Sequence, residues 1–280
     1  MSEPVIPPVS ASAAALAPRP VLAATPGRAV VLAVTSGKGG VGKTFVSANL
    51  AAALVKRGRR VLVLDADLGL ANLDVALNLF PKVTLHDVFT GKVSLEEAIL
   101  PAPGGFSVML AGSGLVEYSR LTPEVREQLL RIIDTVAPRY DHILLDTGAG
   151  ISDVVLYAVS LADEVLVLVT PEPTSMTDAY ATIKVLATQQ ARRAIRVVVN
   201  QVSRLGEGRK IRSQLQLVVD KFVAPMLPPG SGSTTLELIG DIPLDNSVRE
   251  AVQQRRLLLE LMPGSAPTKA IDAIAAKLAP

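Results

Sequence analysis

The sequence predicts an α/β protein with a mostly parallel sheet, and three observations support this prediction. Apolar, β-branched runs such as Ala29–Thr35 and Glu164–Thr170 are typical of strands that are buried on both faces. Segments with apolar residues at helical spacing lie between such runs, as in Thr122–Val136. A glycine-rich loop joins the first strand to the first helix. Strands that alternate with helices favour a parallel sheet covered by those helices.

The amino-acid composition excludes several classes of protein. A chain of 280 residues with 49% apolar residues can form one large α/β domain or two small ones. The net charge of +2 provides no basic field, so we do not expect a specific nucleic-acid partner. The lack of cysteine excludes disulfides, thiolate metal sites and cysteine-ligated iron–sulfur clusters. Because we find no apolar run of about 18 residues and no signal-peptide pattern, we expect a cytoplasmic protein.

The N-terminal segment differs from the rest of the chain. Met1–Arg28 is rich in alanine, proline and serine, and frequent proline opposes helix formation. The segment also offers little apolar surface to bury. We therefore predict a disordered tail over residues 1–28 and one domain over residues 29–280. The tail is interpreted as a tether, and a partner-binding arm is the alternative.

The glycine-rich loop carries the clearest chemical signal. It matches G-x-x-x-x-G-K-[ST], the phosphate-binding loop (P-loop) of nucleotide triphosphatases, and consists of Gly37, Lys38, Gly39, Gly40, Val41, Gly42, Lys43 and Thr44. Backbone N–H groups and the positive end of the following helix, predicted over Phe45–Lys56, would face phosphate oxygens. We expect Lys43 to reach the β- and γ-phosphates and the Thr44 hydroxyl to bind Mg²⁺. A purely structural glycine turn is the alternative.

Acids follow two other predicted strands. Arg59–Asp65 ends in Asp65 and is followed at once by Asp67, a pair that could hold Mg²⁺ through water and orient an attacking water. Tyr140–Asp146 ends in Asp146, which is expected to bind the Mg²⁺ shell. Carboxyl ends of parallel strands are where open α/β sheets bind ligands. Capping of a local turn is the alternative role for the first pair.

The remaining segments predict smaller elements in the order of the chain. Val83–Leu100 is expected to form two helices that are separated at Gly91, and Phe106–Leu110 a short strand. His86 has no second metal ligand nearby and is interpreted as a surface or packing residue. Pro171–Tyr180 begins a helix that Thr174 or Ser175 is expected to cap.

The C-terminal part predicts two more strands and three helices. Ile195–Asn200 and Leu236–Ile242 are the strands, and the second is expected at a sheet edge. A helix is predicted over Arg209–Val223, with Phe222 on its buried face. Val248–Met262 and Lys269–Leu278 are predicted as terminal helices. Lys269–Leu278 is short and lacks Phe and Trp, so we interpret it as a packing helix and not as a membrane-binding one.

Three stretches together resemble one family. GKGGVGKT is similar to the deviant phosphate loop of the MinD/ParA/nitrogenase iron-protein class, DADLGLANLD to its switch I segment, and PEPTSMTDAY to its FlhG (FleN) branch of flagellar number regulators. The resemblance covers about residues 30–278. It implies a doubly wound, mostly parallel sheet of seven or eight strands with helices on both faces, the MinD-like P-loop NTPase fold.

The resemblance also implies roles for single residues. Lys38 would cross a dimer interface to the partner's nucleotide, and Asp67 would position the hydrolytic water. Asn72 would lie near the interface, and Asn200 and the backbone near Pro243 would contact adenine, although a turn role for Asn200 is the alternative. Residues 147–153 resemble switch II, where Gly148 replaces a common Pro or Ala, so we expect a looser loop there.

The function that the resemblance implies is regulatory. ATP with Mg²⁺ would drive a homodimer, and slow, partner-stimulated hydrolysis would dissolve it. Such proteins control the number or placement of flagella, or another polar machine, through a flagellar GTPase or a transcription activator. Peripheral contact with the inner face of the cell membrane or the cell pole is also implied. Met1–Arg28 lacks the Gln-containing motif with which FlhG proteins usually begin.

Two other functions remain open. A ParA-like ATPase would bind DNA non-specifically through phosphate contacts, for which the basic candidates are Arg192, Arg193, Arg196, Arg209, Lys210 and Arg212. Solvated helix ends are the alternative explanation for these residues. A small-molecule ligase or kinase resembling dethiobiotin synthetase is the other candidate, although the switch I segment and PEPTSMTDAY argue against it.

Overall fold

A computed structural model describes residues 27–67, 72–112 and 122–279. The predicted tail lies outside the described residues except for Gly27 and Arg28. The strands are β1 (Val30–Ser36), β2 (Val61–Ala66), β3 (Leu100–Pro101), β4 (Ser107–Met109), β5 (His142–Ala149), β6 (Glu164–Val169), β7 (Ala194–Val202) and β8 (Thr235–Pro243).

These strands form one eight-stranded sheet in the order β3-β4-β2-β5-β1-β6-β7-β8. Within the described part of the chain, every strand pairing is parallel except the short antiparallel pair of β3 and β4. β1 lies between β5 and β6, and the chain winds outward from it in both directions. The predicted doubly wound, mostly parallel sheet is therefore confirmed, and β8 is at the edge, as expected.

Helices connect the strands. They are α1 (Lys43–Lys56), α2 (Leu73–Ala76), α3 (Leu85–Phe89), α4 (Leu95–Ala98), α5 (Pro123–Val136), α6 (Asp153–Ser160), α7 (Pro173–Gln189), α8 (Glu207–Phe222), α9 (Asn246–Gln253), α10 (Leu258–Leu261) and α11 (Ala266–Leu278). Thr122 caps α5 by accepting a hydrogen bond from the Val125 N–H, and Pro123 occupies the first turn, where its missing N–H costs nothing.

The core has one layer on each face of the sheet. In β1, Val31 and Ala33 belong to one layer, and Leu32 and Val34 to the other. This alternation follows from the period of two in a strand. α5, α6, α7 and α8 cover the first face, whereas α1 and α11 cover the second. Helices on both faces are thus confirmed.

The C-terminal helix is a packing element, as predicted. Its apolar residues are buried against α1 and β8, namely Ile271, Ile274, Ala275 and Leu278. Gly240 makes room for this contact, because a Cβ there would lie 2.4 Å from Cγ1 of Ile274. No helix in the described part of the chain is long and apolar enough to cross a bilayer.

Three predictions about helices were wrong or incomplete. Residues 248–262 do not form one helix, because the backbone turns at Arg255 with a φ of 51° between α9 and α10. Phe222 is 51% exposed, since the buried row of α8 continues through Val219 to Val223. α6 was not predicted, because it is apolar on nearly all sides and lacks a helical period.

Candidate functional site

A large cavity lies at the carboxyl ends of the central strands. Its volume is about 1300 Å³. The glycine-rich loop forms its floor, and residues from β2, β5, β7 and α9 form its walls. The cavity therefore lies where a doubly wound sheet binds ligands, and it brings together the acids that follow separate strands.

The glycine-rich loop has the backbone of an anion site. Gly40 and Gly42 have φ values of 77° and 94°, which favour glycine, and Gly42 immediately precedes α1. Gly37 needs glycine for a different reason. A Cβ on Gly37 would lie 2.1 Å from the Asp178 carbonyl oxygen in α7, so the start of the loop packs directly on that helix.

Gly37→Ala is expected to reduce both stability and nucleotide binding. The new methyl group must displace either the loop or α7, and overpacking of this kind costs about 1–3 kcal/mol. Thermal unfolding and equilibrium ATP binding would measure the two effects. Gly264→Ala is the control, because a Cβ at Gly264 meets nothing within 4 Å and its φ lies outside the left-handed region. An unchanged melting temperature and unchanged ATP affinity in Gly37→Ala would contradict the tight packing.

Lys43 is positioned inside the cavity as predicted. Its side chain is 9% exposed, and its Nζ donates a hydrogen bond to the Ser36 hydroxyl over 2.9 Å. Burial lowers the pKa of Lys43, while the charges of Asp146 and Asp67 oppose that shift. A desolvated ammonium group gains strongly from a phosphate, because the anion replaces the hydration that burial removed.

The strand-end acids lie side by side. Asp65 and Asp146 are register partners on β2 and β5. Asp146 accepts hydrogen bonds from the hydroxyls of Thr44 and Ser47, the latter over 2.9 Å. Burial nevertheless raises the pKa of Asp146 to about 6. Burial and the charge of Asp146 raise the pKa of Asp65 well above its usual range.

These residues fit the predicted Mg²⁺ site of Thr44, Asp65 and Asp146. Among the described residues, one carboxylate oxygen of Asp65, Oδ2, is buried without a hydrogen-bond partner, while Oδ1 accepts the Asp67 N–H over 3.1 Å. The described residues include no cluster of three or more metal-binding side chains. Mg²⁺ is typically held by one or two carboxylates together with water and substrate phosphates, so this donor set suits an ion that arrives with the nucleotide.

Asp146→Asn is expected to stabilise the nucleotide-free protein at neutral pH. The carboxyl pKa is about 6 in the fold against 3.8 without it, so the folded state binds more protons between these values. Stability therefore falls as pH rises from about 4 to 6. Asparagine removes this penalty, and the variant should gain about 1–3 kcal/mol at pH 7.5 and little at pH 4. Urea unfolding at pH 7.5 and at pH 4 measures this gain in the free energy of unfolding. A variant that is destabilised equally at both pH values would contradict the raised pKa of Asp146.

Asp67 lines the same cavity and lies against Gly148. A Cβ on Gly148 would come within 3.3 Å of the Asp67 carboxylate, so glycine leaves space for that group. The expected looser loop is wrong, because β5 continues through Gly148 to Ala149. Asn72 lines the same cavity. Residues 68–71 of the predicted switch I segment lie outside the described residues.

Lys38, unlike Lys43, is not among the described residues that line the cavity of its own chain. Its ammonium group pairs with the Glu172 carboxylate and donates to the Thr174 hydroxyl over 3.0 Å. The predicted capping by Thr174 or Ser175 is wrong, because α7 begins earlier, at Pro173, with Glu172 at the N-cap. Ser175 instead accepts a hydrogen bond from the Thr170 N–H over 3.0 Å.

Asn200 holds β7 to the glycine-rich loop. Its Nδ2 donates to the Val41 carbonyl oxygen over 2.8 Å, and its Oδ1 accepts the Gln201 N–H over 2.9 Å. Asn200, Pro243 and Leu244 line the cavity at the ends of β7 and β8. Contact of Asn200 and Pro243 with adenine stays a prediction. The sequence did not single out Ser47, which lies one helical turn after Thr44 and donates to Asp146, or Gln201, which lines the cavity.

Half of the basic residues proposed for DNA contacts are used within the fold. Arg192 is buried and donates to the carbonyl oxygens of Val159 and Ala162. Arg193 donates to two other carbonyl oxygens, and Arg196 pairs with Glu164. Among the six candidates, only Arg209 and Lys210 are exposed. These contacts weaken the DNA-binding alternative.

Comparisons with known proteins agree on one family. The AAA domain family matches residues 29–197. The chain is 44% identical to the antiactivator FleN of Pseudomonas aeruginosa, over 89% of this chain and 85% of that protein. It is 33% identical to the flagellum site-determining protein YlxH of Helicobacter pylori, over 90% and 82% of the two chains. The septum site-determining protein MinD of Pyrococcus horikoshii, solved with Mg-ADP, aligns over 90% and 96% of the two chains with a TM-score of 0.69 and 26% identity.

Proposed function

This chain belongs to the AAA domain family and, within it, to the MinD-like ATPases near FlhG and FleN, and on that premise we propose that it controls the number or placement of flagella, or of another polar machine, through an ATP-bound homodimer. It is an ATP hydrolase, and its cofactors are ATP and Mg²⁺. The flagellar assignment is supported by the relatives named antiactivator and flagellum site-determining protein.

The position of Lys38 carries the proposal of a dimer. Lys38 belongs to the phosphate loop but does not line the cavity, whereas Lys43 does. Its side chain is 34% exposed beside Glu172, so it can exchange that partner for an anion on another molecule. A cation from each subunit at the other's phosphates would offset charge that develops during phosphoryl transfer. Hydrolysis would then depend on dimerisation.

The remaining roles follow from the cavity. Lys43 and the loop N–H groups bind the phosphates, and Asp67 orients the attacking water. Thr44, Asp65 and Asp146 would hold the Mg²⁺ ion, which supplies charge neutralisation at the phosphates when bound. Lys38, Lys43 and Asp67 are thus the proposed catalytic residues. Hydrolysis is slow without a partner, because the second cation has to arrive from outside the cavity.

The dependence of turnover on protein concentration tests the dimer. ATP hydrolysis per protomer is expected to rise with protein concentration and then to level off. Lys38→Ala should remove this rise and lower turnover by about 10²-fold or more, as loss of a catalytic cation typically does. Lys92→Ala is the matched control, since Lys92 pairs with Asp87 away from the cavity. Turnover of Lys38→Ala that matches the control would reject the role of Lys38.

The setting of this activity is also proposed from the family. Residues 29–280 act as one MinD-like domain, with residues 1–28 as a tether. The protein works in the cytoplasm and makes peripheral contact with the membrane or the cell pole. A partner protein, either a flagellar GTPase or a transcription activator, stimulates hydrolysis or is regulated by the ATP-bound dimer.

A further inference from the structure

One edge of the sheet is formed by β8, the last strand in the sheet order. The Thr235 N–H donates to the carbonyl oxygen of Arg193, just before β7, over 2.7 Å. The N–H of Leu236 points to the outer side instead and donates to the Gln216 side chain over 2.8 Å. Because a strand alternates with a period of two and the register continues to Leu238, the backbone N–H and C=O of Leu238 also face outward.

Two side chains cover this edge, and they leave a gap between them. Besides accepting the N–H described above, the Gln216 amide donates to the Thr234 carbonyl oxygen over 3.0 Å, as a residue of a neighbouring strand would. Further along, the Lys277 ammonium group donates to the Ile239 carbonyl oxygen over 2.8 Å. Within residues 27–67, 72–112 and 122–279, no side chain bonds to the backbone of Leu238. Unpaired edge groups of this kind are a template for another strand.

A groove of about 590 Å³ runs along the same stretch of β8, between the start of α8 and the end of α11. Leu238 is half-buried in its floor, and Leu205 is fully exposed at its side. Gly240 also lines the groove and has no side chain to fill it. The groove therefore offers apolar contacts beside the open backbone groups. It shares no lining residue with the nucleotide cavity in the described part of the chain.

The charges of the groove favour an acidic ligand. Arg209 and Arg212 of α8 line it, and neither has an anionic partner among the residues that the structure describes. The acids Glu237 and Asp241 line it too. However, Glu237 lies 3.7 Å from the Arg196 guanidinium group, and Asp241 packs on the first turn of α8, where helix N–H groups favour an acid. The two arginines are therefore left to attract a ligand.

We propose that the outer edge of β8 binds an extended, acidic segment of a partner protein as an additional strand. Main-chain hydrogen bonds would supply affinity, and acidic side chains opposite Arg209 and Arg212 would supply specificity. A second copy of this chain fits less well, because it would bring the same arginines with it. The N-terminal segment of the chain fits less well too, because Glu3 is its single acid and its many prolines lack the N–H that a ladder needs.

Binding of short peptides to the full chain tests this proposal. The probe is a fluorescently labelled seven-residue peptide that alternates glutamate with valine and has blocked ends. Fluorescence anisotropy should show binding at least about tenfold tighter than for the same peptide with lysine in place of glutamate. N-methylation of every second residue, made in both registers, removes the N–H donors from one edge of the peptide at a time. One of the two registers should bind at least about tenfold more weakly.

Charge reversal on α8 locates the site. Arg209→Glu combined with Arg212→Glu should lower the affinity for the glutamate peptide by at least about tenfold. Lys210→Glu combined with Lys221→Glu is the matched control, because both lysines are exposed on α8 and lie outside the groove. The control should keep the affinity within about threefold. Melting temperatures of both double variants verify that they are folded.

Hydrogen exchange provides a readout of strand addition itself. Bound peptide should slow amide exchange in residues 236–240, since the outward N–H groups gain acceptors. Equal affinity for the glutamate and lysine peptides, unchanged affinity in both N-methylated registers, or an equal loss in the two double variants would overturn the proposal. Self-association of the chain through residues 236–240 without peptide binding would also overturn it and assign the edge to a second copy.

Discussion

Lys43→Ala is expected to lower ATP affinity and ATP hydrolysis by at least about a hundredfold. Lys43 is a buried cation of the phosphate loop, and its Nζ is already oriented by Ser36. Each charge-assisted hydrogen bond to a phosphate contributes about 1.5–3 kcal/mol, and Lys43 would make two of them. Its loss also leaves Asp146 and Asp67 without the opposing charge that they share in the cavity.

Equilibrium binding of ATP and steady-state release of phosphate would measure this loss. Lys56→Ala is the control, because Lys56 lies at the far end of α1 and donates to the Leu259 carbonyl oxygen. That variant should change stability slightly and leave ATP affinity unchanged. If Lys43→Ala kept ATP affinity within about threefold of the natural protein, the cavity would not bind phosphates through this lysine.

Asp67→Ala is expected to stop hydrolysis while ATP still binds. The Asp67 carboxylate lies against Gly148, whereas the Lys43 ammonium group is oriented by the Ser36 hydroxyl. Loss of a group that positions and activates water typically lowers turnover by about 10²–10⁴-fold. Since binding would be retained, the ATP-bound dimer should accumulate. Single-turnover hydrolysis and ATP binding, measured together, separate the two effects.

The control for this variant is Asp74→Ala. Asp74 is a half-buried acid of α2 near Asp67 in sequence, but it does not line the nucleotide cavity. Its removal should leave turnover within about twofold. Comparable hydrolysis in Asp67→Ala and Asp74→Ala would show that another group positions the water.

The sequence predicted the parts of the site that depend on local pattern. Lys43 and Thr44 follow from a strand, a glycine loop and a helix that are contiguous in the chain. Asp65 and Asp146 follow from runs of buried residues that end in an acid, because parallel strands end at the same edge of the sheet. The register between β2 and β5 then places these two acids side by side.

The parts that the sequence did not predict depend on distant contacts. Lys38 pairs with Glu172, which lies 134 residues later in the chain. The left-handed backbone of Gln201, with a φ of 62°, depends on the register between β7 and β8, which no local pattern encodes. In these two cases the outcome depends on a contact between segments that are distant in the chain. Phe222 was misplaced for a local reason, because Val219 and Val223, and not Phe222, continue the buried row of α8.

The molar mass of Asp67→Ala in saturating ATP tests the central claim most directly, because the claim is an ATP-driven dimer that needs Lys38. Light scattering is expected to give about twice the protomer mass of 29.4 kDa with ATP and the protomer mass with ADP. Adding Lys38→Ala should return the ATP sample to the protomer mass. A protomer mass for Asp67→Ala in ATP, or a dimer that persists without Lys38, would contradict the account.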